Sequence, residues 1–131
     1  MLNAAQLIYH ILSGLFITSL IVSNLIFQKF FSLNFFNLMT FELSVGIIFY
    51  PVTFLVTDVV SEIYGAKKAN QMVLTGLCSS IFCLLIIYLA NTLLATSWSP
   101  VDNETFNLVF GNTSLAVGAS MVAYLGAQFI D

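Results

Sequence analysis

Four apolar segments, each long enough to cross a bilayer, constrain this chain more than any other feature. A spanning helix needs about 20 mostly apolar residues. These segments are too long, and too poor in alternating polar residues, to be the strands of a membrane barrel. The predicted spans are residues 7–28, 44–63, 71–95 and 114–130. The predicted fold class is therefore an all-α integral membrane protein, with about four transmembrane helices in a single transmembrane domain over residues 1–131.

The composition excludes several classes of protein. Only 7% of the residues are charged and 60% are hydrophobic, whereas a soluble domain carries about 25% charged residues. A soluble fold of this length needs a polar shell that this sequence cannot supply, so the lipid bilayer is the predicted solvent. Three basic residues form no basic patch, which excludes a nucleic-acid partner. With one histidine and no nucleophile, phosphate-loop or zinc motif, we predict no enzyme, no metal site and no cofactor.

The lysines predict the orientation in the membrane. Lys67 and Lys68 lie in the connection after the second span, whereas the connection after the third holds Asp102 and Glu104 and no basic residue. Cytoplasmic loops carry the excess of lysine and arginine. We therefore expect a multi-pass protein of the cell (inner) membrane whose N-terminus is cytoplasmic, although Lys29, at the outer end of the first span, goes against the rule.

Polar residues in the spans recur at helical spacing. In the second span, Asp58, Ser61 and Glu62 share one face, with the two acids one turn apart. The first span carries Asn24 on its polar stripe, and the fourth carries Ser120, Tyr124, Gln128 and Asp131. A carboxylate at the centre of a spanning helix costs about 2.5–3.5 kcal/mol on insertion scales. Such residues are therefore predicted to face a binding cavity or a partner.

Structural explanations compete with this functional one. Asp58 and Glu62 lie in the last turns of their span, so they could sit at the headgroup level beside Lys67 and Lys68. Against that, acids at a helix C-terminus face the negative end of the helix dipole. Asn24 and Gln128 could equally be hydrogen-bonding contacts between helices.

Four motifs together carry a resemblance to a known family. They are Ser23-Asn24 followed by Lys29, the segment FYPVTFLVTD, the segment TDVVSEIYG (residues 57–65), and ASMVAYLGAQFID at residues 119–131. The chain resembles the queuosine precursor transporter family, also called the vitamin uptake transporter family. Asn70 departs from the pattern, because the family commonly has an arginine there. The resemblance also implies about six spans, so this chain resembles the first part of a six-helix bundle and is expected to be an incomplete N-terminal portion.

The resemblance implies import of 7-deazaguanine bases, such as preQ0, preQ1 or queuine, for tRNA modification. A carboxylate, Asp58 or Glu62, would accept hydrogen bonds from the N1–H and the exocyclic amine of the base. The amides of Asn24 and Gln128 would meet its O6/N7 edge, and Tyr124 would stack on the ring.

Further residues and partners follow from the same resemblance. Asp131 is a second candidate carboxylate, and Ser23, Lys29 and Ser61 are supporting residues. The expected partners are the base as substrate and the lipid bilayer, while a homo-oligomer and a coupling ATPase stay open. The alternative is a truncated or accessory membrane subunit, which completes another helix bundle without transport activity of its own.

Overall fold

The structure, a computed structural model, describes residues 1–130 and the side chains up to Ala127. It consists of two compact units, Met1–Ser79 and Ser80–Asp131, whose boundary falls within one long helix. The elements in chain order are α1 (Ala4–Leu25), β1 (Phe30–Phe35), β2 (Met39–Ser44), α2 (Gly46–Tyr64), α3 (Ala66–Thr92), α4 (Asn103–Phe110) and α5 (Thr113–Ile130).

The predicted class of an α-helical, multi-pass membrane protein is confirmed. Among the described residues, four helical segments are long and apolar enough to cross a bilayer: Ala4–Leu25, Gly46–Tyr64, Ala66–Thr92 and Asn103–Ala127. Their ends differ from the prediction for local reasons. The first helix begins at Ala4 because the Asn3 side chain accepts from the Gln6 backbone N–H, and the Gln6 side chain accepts in return from the Asn3 N–H. This reciprocal cap satisfies two backbone donors that a helix start leaves without partners.

The core of the first unit lies between α1 and α2. Phe16 and Leu20 of α1 are buried, as are Val56 and Val60 of α2. Helix α3 approaches α1 closely at Gly76, where an added Cβ would come within 2.6 Å of the Phe16 ring. Small residues at such crossings let helix backbones approach, and in lipid this close packing supplies much of the association energy.

An antiparallel hairpin, not foreseen from the sequence, joins α1 to α2. Strands β1 and β2 pair from Phe30 opposite Ser44 to Phe35 opposite Met39. Phe36 and Asn37 turn the chain with φ of 53° and 59°. At the other end the Val45 N–H donates to the Lys29 carbonyl over 2.7 Å, and the Ser44 hydroxyl donates to the Phe27 carbonyl. These bonds fix the base of the hairpin to the helix ends.

The connection between α2 and α3 is a single residue, Gly65. Its φ of 93° and ψ of 161° lie in a region that residues with a side chain scarcely adopt. The predicted connection YGAKKAN is therefore mostly helix, and α3 begins at Ala66, five residues earlier than predicted.

Replacing Gly65 with alanine is expected to lower the free energy of unfolding by about 1–2 kcal/mol, because the backbone strain outweighs the entropy gained. Thermal unfolding in detergent measures it. Gly118→Ala is the matched control, since an added Cβ meets nothing within 4 Å at either position and only Gly65 has a positive φ among the described glycines. Equal melting temperatures for the two variants would contradict the strain argument.

The second unit contains the end of α3 and helices α4 and α5. Asp102 caps α4, with its carboxylate accepting the Thr105 backbone N–H over 2.7 Å. Hydrogen bonds from Thr105, through its side chain and its backbone, hold the pKa of Asp102 below its usual range. Helix α5 matches the predicted fourth span, and α4 extends the apolar helical segment upstream of it. Thr113, Val117 and Tyr124 form the buried side of α5.

Candidate functional site

Helix α2 buries one side in the first unit and leaves the opposite side, which carries the two acids, exposed. Thr53, Val56, Thr57 and Val60 are its buried side chains, along with Gly46 at its start. Asp58, Ser61 and Glu62 are all exposed. At about 100° per residue, Asp58 and Glu62 lie about 140–180° around the helix from the centre of the buried face. Asp58 and Glu62 therefore lie on the side of α2 that points away from α1.

The two acids differ in depth. The 19 residues of α2, rising about 1.5 Å each, give a length of about 28 Å, close to the hydrocarbon thickness of about 30 Å. Asp58 lies about 9 Å along the axis from the Tyr64 end, whereas Glu62 lies about 3 Å from it. With α2 centred in a bilayer, Asp58 lies within the hydrocarbon region and Glu62 lies at the level of the interface. The insertion penalty of about 2.5–3.5 kcal/mol applies chiefly to Asp58.

Within the part of the chain that the structure describes, neither acid has a bonding partner. Among the side chains that the structure describes, no hydrogen bond or salt bridge involves the carboxylate of Asp58 or Glu62. Lys67 and Lys68 follow closely in sequence, but neither forms a salt bridge with these acids. Carboxylates at such a depth in membrane proteins almost always face a water-filled cavity or pair with another polar group.

Ser23 and Asn24 lie at the other end of the α1–α2 pair. Both are buried, with 3% and 5% of their surface exposed. The Ser23 carbonyl is 2.5 Å from where a Cβ of Gly46 would stand, so these residues are packed beside the first turn of α2. Asp58 is twelve residues beyond Gly46, or about 18 Å along the helix. Within the first unit, the structure does not bring Asn24 together with the acids.

Lys29 lies next to this end, and the structure gives a definite role to its backbone. Its carbonyl accepts the Val45 N–H at the base of the hairpin, while the residue itself is exposed.

The candidates of the fourth span belong to the second unit. Tyr124 is 2% exposed and Ser120 is half-buried on the same side of α5. Gln128 lies in the last turn of α5, but its side chain falls outside the described part of the chain, as does Asp131 altogether. The predicted contributions of these residues to a common site stay predictions.

The end of α2 is held by residues to which the sequence analysis gave no role in the site. The Tyr64 hydroxyl donates to the Ala5 carbonyl over 2.7 Å, and the Tyr9 hydroxyl donates to the Lys68 carbonyl over 3.1 Å. The Tyr9 and Tyr64 rings meet edge to face, 5.4 Å apart, and the Lys68 ammonium lies 5.2 Å from the Tyr9 ring centroid. This cluster holds the C-terminal turn of α2, which carries Glu62, against the start of α1. The sequence signal for this cluster is a tyrosine near the start of α1, a tyrosine at the end of α2 and a lysine just after the Gly65 turn.

The second unit also contains a small, mostly apolar cavity of about 110 Å³. Its lining includes the apolar and aromatic residues Leu84, Tyr88, Phe106 and Phe110 and the amide side chain of Asn91. Small-molecule sites measure about 300–1,000 Å³, so this cavity is too small for a purine-sized ligand. It includes none of the predicted site residues.

One family model matches a part of the chain that includes the α2 acids. The family model described as "Putative vitamin uptake transporter" matches residues 44–131, which is more than half of the chain and includes Asp58, Ser61 and Glu62. No curated protein and no solved structure matches the chain.

Proposed function

The chain belongs to the vitamin uptake transporter family, and on that premise we propose that it imports a 7-deazaguanine base across the inner membrane for tRNA modification. The substrate class would be queuosine precursors such as preQ0, preQ1 or queuine. The lysines after α2 and the acidic connection after α3 support an orientation with the N-terminus in the cytoplasm.

The observation that carries the proposal is Asp58, an exposed carboxylate about 9 Å inside the Tyr64 end of the apolar helix α2. A guanine-like base presents an N1–H and an exocyclic amine side by side on one edge. A single carboxylate accepts both in a charge-assisted, bidentate pair. The two donors of the base replace the hydrogen bonds that water would give the carboxylate. A bound base therefore offsets the cost of placing this acid inside the membrane.

Glu62 gives the path a second acceptor. It lies one turn from Asp58 toward the end that carries Lys67 and Lys68, so it would receive the base as it moves toward the cytoplasm. Asn24 is buried beside the first turn of α2, away from the side of the helix that carries the acids, so its contact with the base stays a prediction. Tyr124, Gln128 and Asp131 stay the candidates for ring stacking, the O6/N7 edge and a second carboxylate.

Queuosine formation in cells tests this proposal. The protein, in its full natural reading frame, is expressed in cells that cannot make deazaguanine precursors and lack an importer, with nanomolar precursor supplied. We expect queuosine to appear in tRNA only when the protein is present, as measured by mass spectrometry of digested tRNA. No queuosine despite normal membrane expression would contradict the transport proposal and favour the accessory-subunit alternative.

A further inference from the structure

The hairpin between α1 and α2 has one apolar face and one polar face. Paired residues in an antiparallel ladder project to the same side, and alternate pairs project to opposite sides. One face therefore carries Phe31, Leu33, Phe35, Met39, Phe41 and Leu43. The opposite face pairs Ser32 with Glu42 and Asn34 with Thr40, and at the base of the hairpin it also carries Phe30, 66% exposed, opposite Ser44. The Thr40 hydroxyl donates to the Asn34 side-chain oxygen over 2.9 Å, which confirms that this face is a polar surface.

The apolar face is largely uncovered within its unit. Phe31 and Leu43, nearest the helices, are half-buried, whereas Phe35 and Met39 are each 60% exposed. At the tip, Phe36 and Leu38 are each 85% exposed. An isolated two-stranded hairpin is marginal in water at best, and a contiguous apolar patch marks an interaction surface.

The hairpin is attached to the ends of two membrane-spanning helices, and this position determines its surroundings. Strand β1 begins five residues after the end of α1, and β2 ends two residues before the start of α2. Hydrogen bonds from Val45 and Ser44 to carbonyls of the segment after α1 hold the hairpin at these helix ends. Because α1 and α2 are both long enough to span the bilayer, the hairpin starts at the membrane surface, where phenylalanine and amphipathic elements partition into the boundary between headgroups and acyl chains.

We propose that the hairpin is an amphipathic anchor whose apolar face lies in the bilayer interface, on the side of the membrane opposite Lys67 and Lys68. Its polar face, with Glu42, Thr40, Asn34 and Ser32, then faces water. The acid is on the face that avoids lipid, and no charged residue interrupts the apolar face. The inference uses the membrane class of the fold and does not depend on which substrate is transported.

Paired tryptophan substitutions on the two faces test the anchor. The single native tryptophan, Trp98, is first changed to phenylalanine. Phe41→Trp then probes the apolar face and Thr40→Trp, its neighbour in sequence, probes the polar face; both sites are exposed. The full protein is reconstituted into phosphatidylcholine vesicles with and without brominated acyl chains. Tryptophan emission and quenching by the bromolipid and by aqueous acrylamide are recorded.

The bilayer assignment predicts opposite responses from the two probes. Phe41→Trp should emit at shorter wavelength and be quenched by bromolipid at least about twofold more than Thr40→Trp, as expected for a face buried about 5–10 Å in the interface. Acrylamide should quench Thr40→Trp more. Leu33→Trp and Asn34→Trp repeat the comparison on β1, so that a folding defect in one variant does not decide the result.

Two outcomes would overturn the proposal. If both probes are quenched equally by acrylamide and neither by bromolipid, the hairpin stands in water. If Phe41→Trp emits at short wavelength but responds to neither quencher, the face is covered by protein, either a second copy or another segment of the same chain.

Discussion

Replacing Asp58 with asparagine is expected to reduce uptake of a 7-deazaguanine base by roughly 10- to 100-fold at low substrate concentration. Asparagine is nearly the same size, but it replaces one acceptor oxygen with an NH₂ donor that opposes the donors of the base. A hydrogen bond to a charged group contributes about 1.5–3 kcal/mol, and each 1.4 kcal/mol is about tenfold in affinity. Accumulation of radiolabelled base in cells, normalised to membrane expression, measures the loss.

Glu62→Gln serves as the graded comparison. Glu62 lies nearer the membrane interface, where water competes for its hydrogen bonds, so the expected loss is smaller than for Asp58→Asn. Glu104→Gln is the matched control, because it makes the same change of charge on an exposed residue in the first turn of α4, and it should leave uptake unchanged. Normal uptake by Asp58→Asn at equal expression would remove Asp58 from the site. A larger loss from Glu62→Gln would transfer the role of base reader to Glu62.

The second large effect is expected from Gly46→Ala, which removes the close approach between α1 and α2. A Cβ at Gly46 would stand 2.5 Å from the Ser23 carbonyl oxygen and 3.2 Å from the Cα of Phe27. Both obstacles are backbone atoms, so no side-chain rotation relieves the clash. The helix pair must shift at the end that holds Asn24 and the base of the hairpin. We expect a loss of about 3 kcal/mol in the free energy of unfolding, at the upper end of the range for overpacking.

Thermal unfolding of the purified protein in detergent measures this effect as a fall in the melting temperature. Gly14→Ala is the control, since Gly14 lies within α1 and an added Cβ there meets nothing within 4 Å. Alanine favours a helix interior over glycine by about 1 kcal/mol, so this variant should be as stable as the parent or more stable. A Gly46→Ala protein that melts together with Gly14→Ala would contradict the described packing.

The helices were predictable because apolar length is a strong signal, whereas their ends depend on local hydrogen bonds. The four spans all correspond to helical segments. The start of α1 moved upstream because Asn3 and Gln6 form a reciprocal cap. The start of α3 moved upstream because Gly65 alone makes the turn. Hydropathy selects the most apolar window and contains no information on helix caps or on turns made by a single glycine.

Hydropathy does not predict the hairpin, because its residues fall between two spans and are too few and too polar to form one. The alternation that marks it is present in the sequence, with Phe31, Leu33 and Phe35 on one side of the turn and Met39, Phe41 and Leu43 on the other. Phe36 occupies a positive φ, which is unusual for a bulky residue and gives no turn signal. Pairing across such a turn is decided by the tertiary anchoring of the strand ends at Lys29 and Val45.

The spacing of Asp58 and Glu62 predicts that they share one side of α2, but it does not predict how far along the helix axis they lie from Asn24. Helices α1 and α2 run antiparallel, as the contacts of Ser23 with Gly46 and of Ala5 with Tyr64 require. A residue late in the first span then lies beside the start of the second, far from Asp58. Residue type and periodicity predict which positions are polar. The antiparallel pairing of α1 and α2 determines that Asn24 and Asp58 lie far apart along the helix axes.

The most direct test of the account is uptake of a labelled 7-deazaguanine base into proteoliposomes that contain the purified full-length protein, alone and with Asp58→Asn. We predict saturable accumulation with the parent protein, competed by unlabelled base but not by adenine, whose edge presents an acceptor at N1 where the deazaguanine presents a donor. The Asp58→Asn protein should lose most of this uptake. Saturable uptake that is equal in both proteins would contradict the role of Asp58, and no uptake by either, with or without a coupling ATPase, would contradict transport itself.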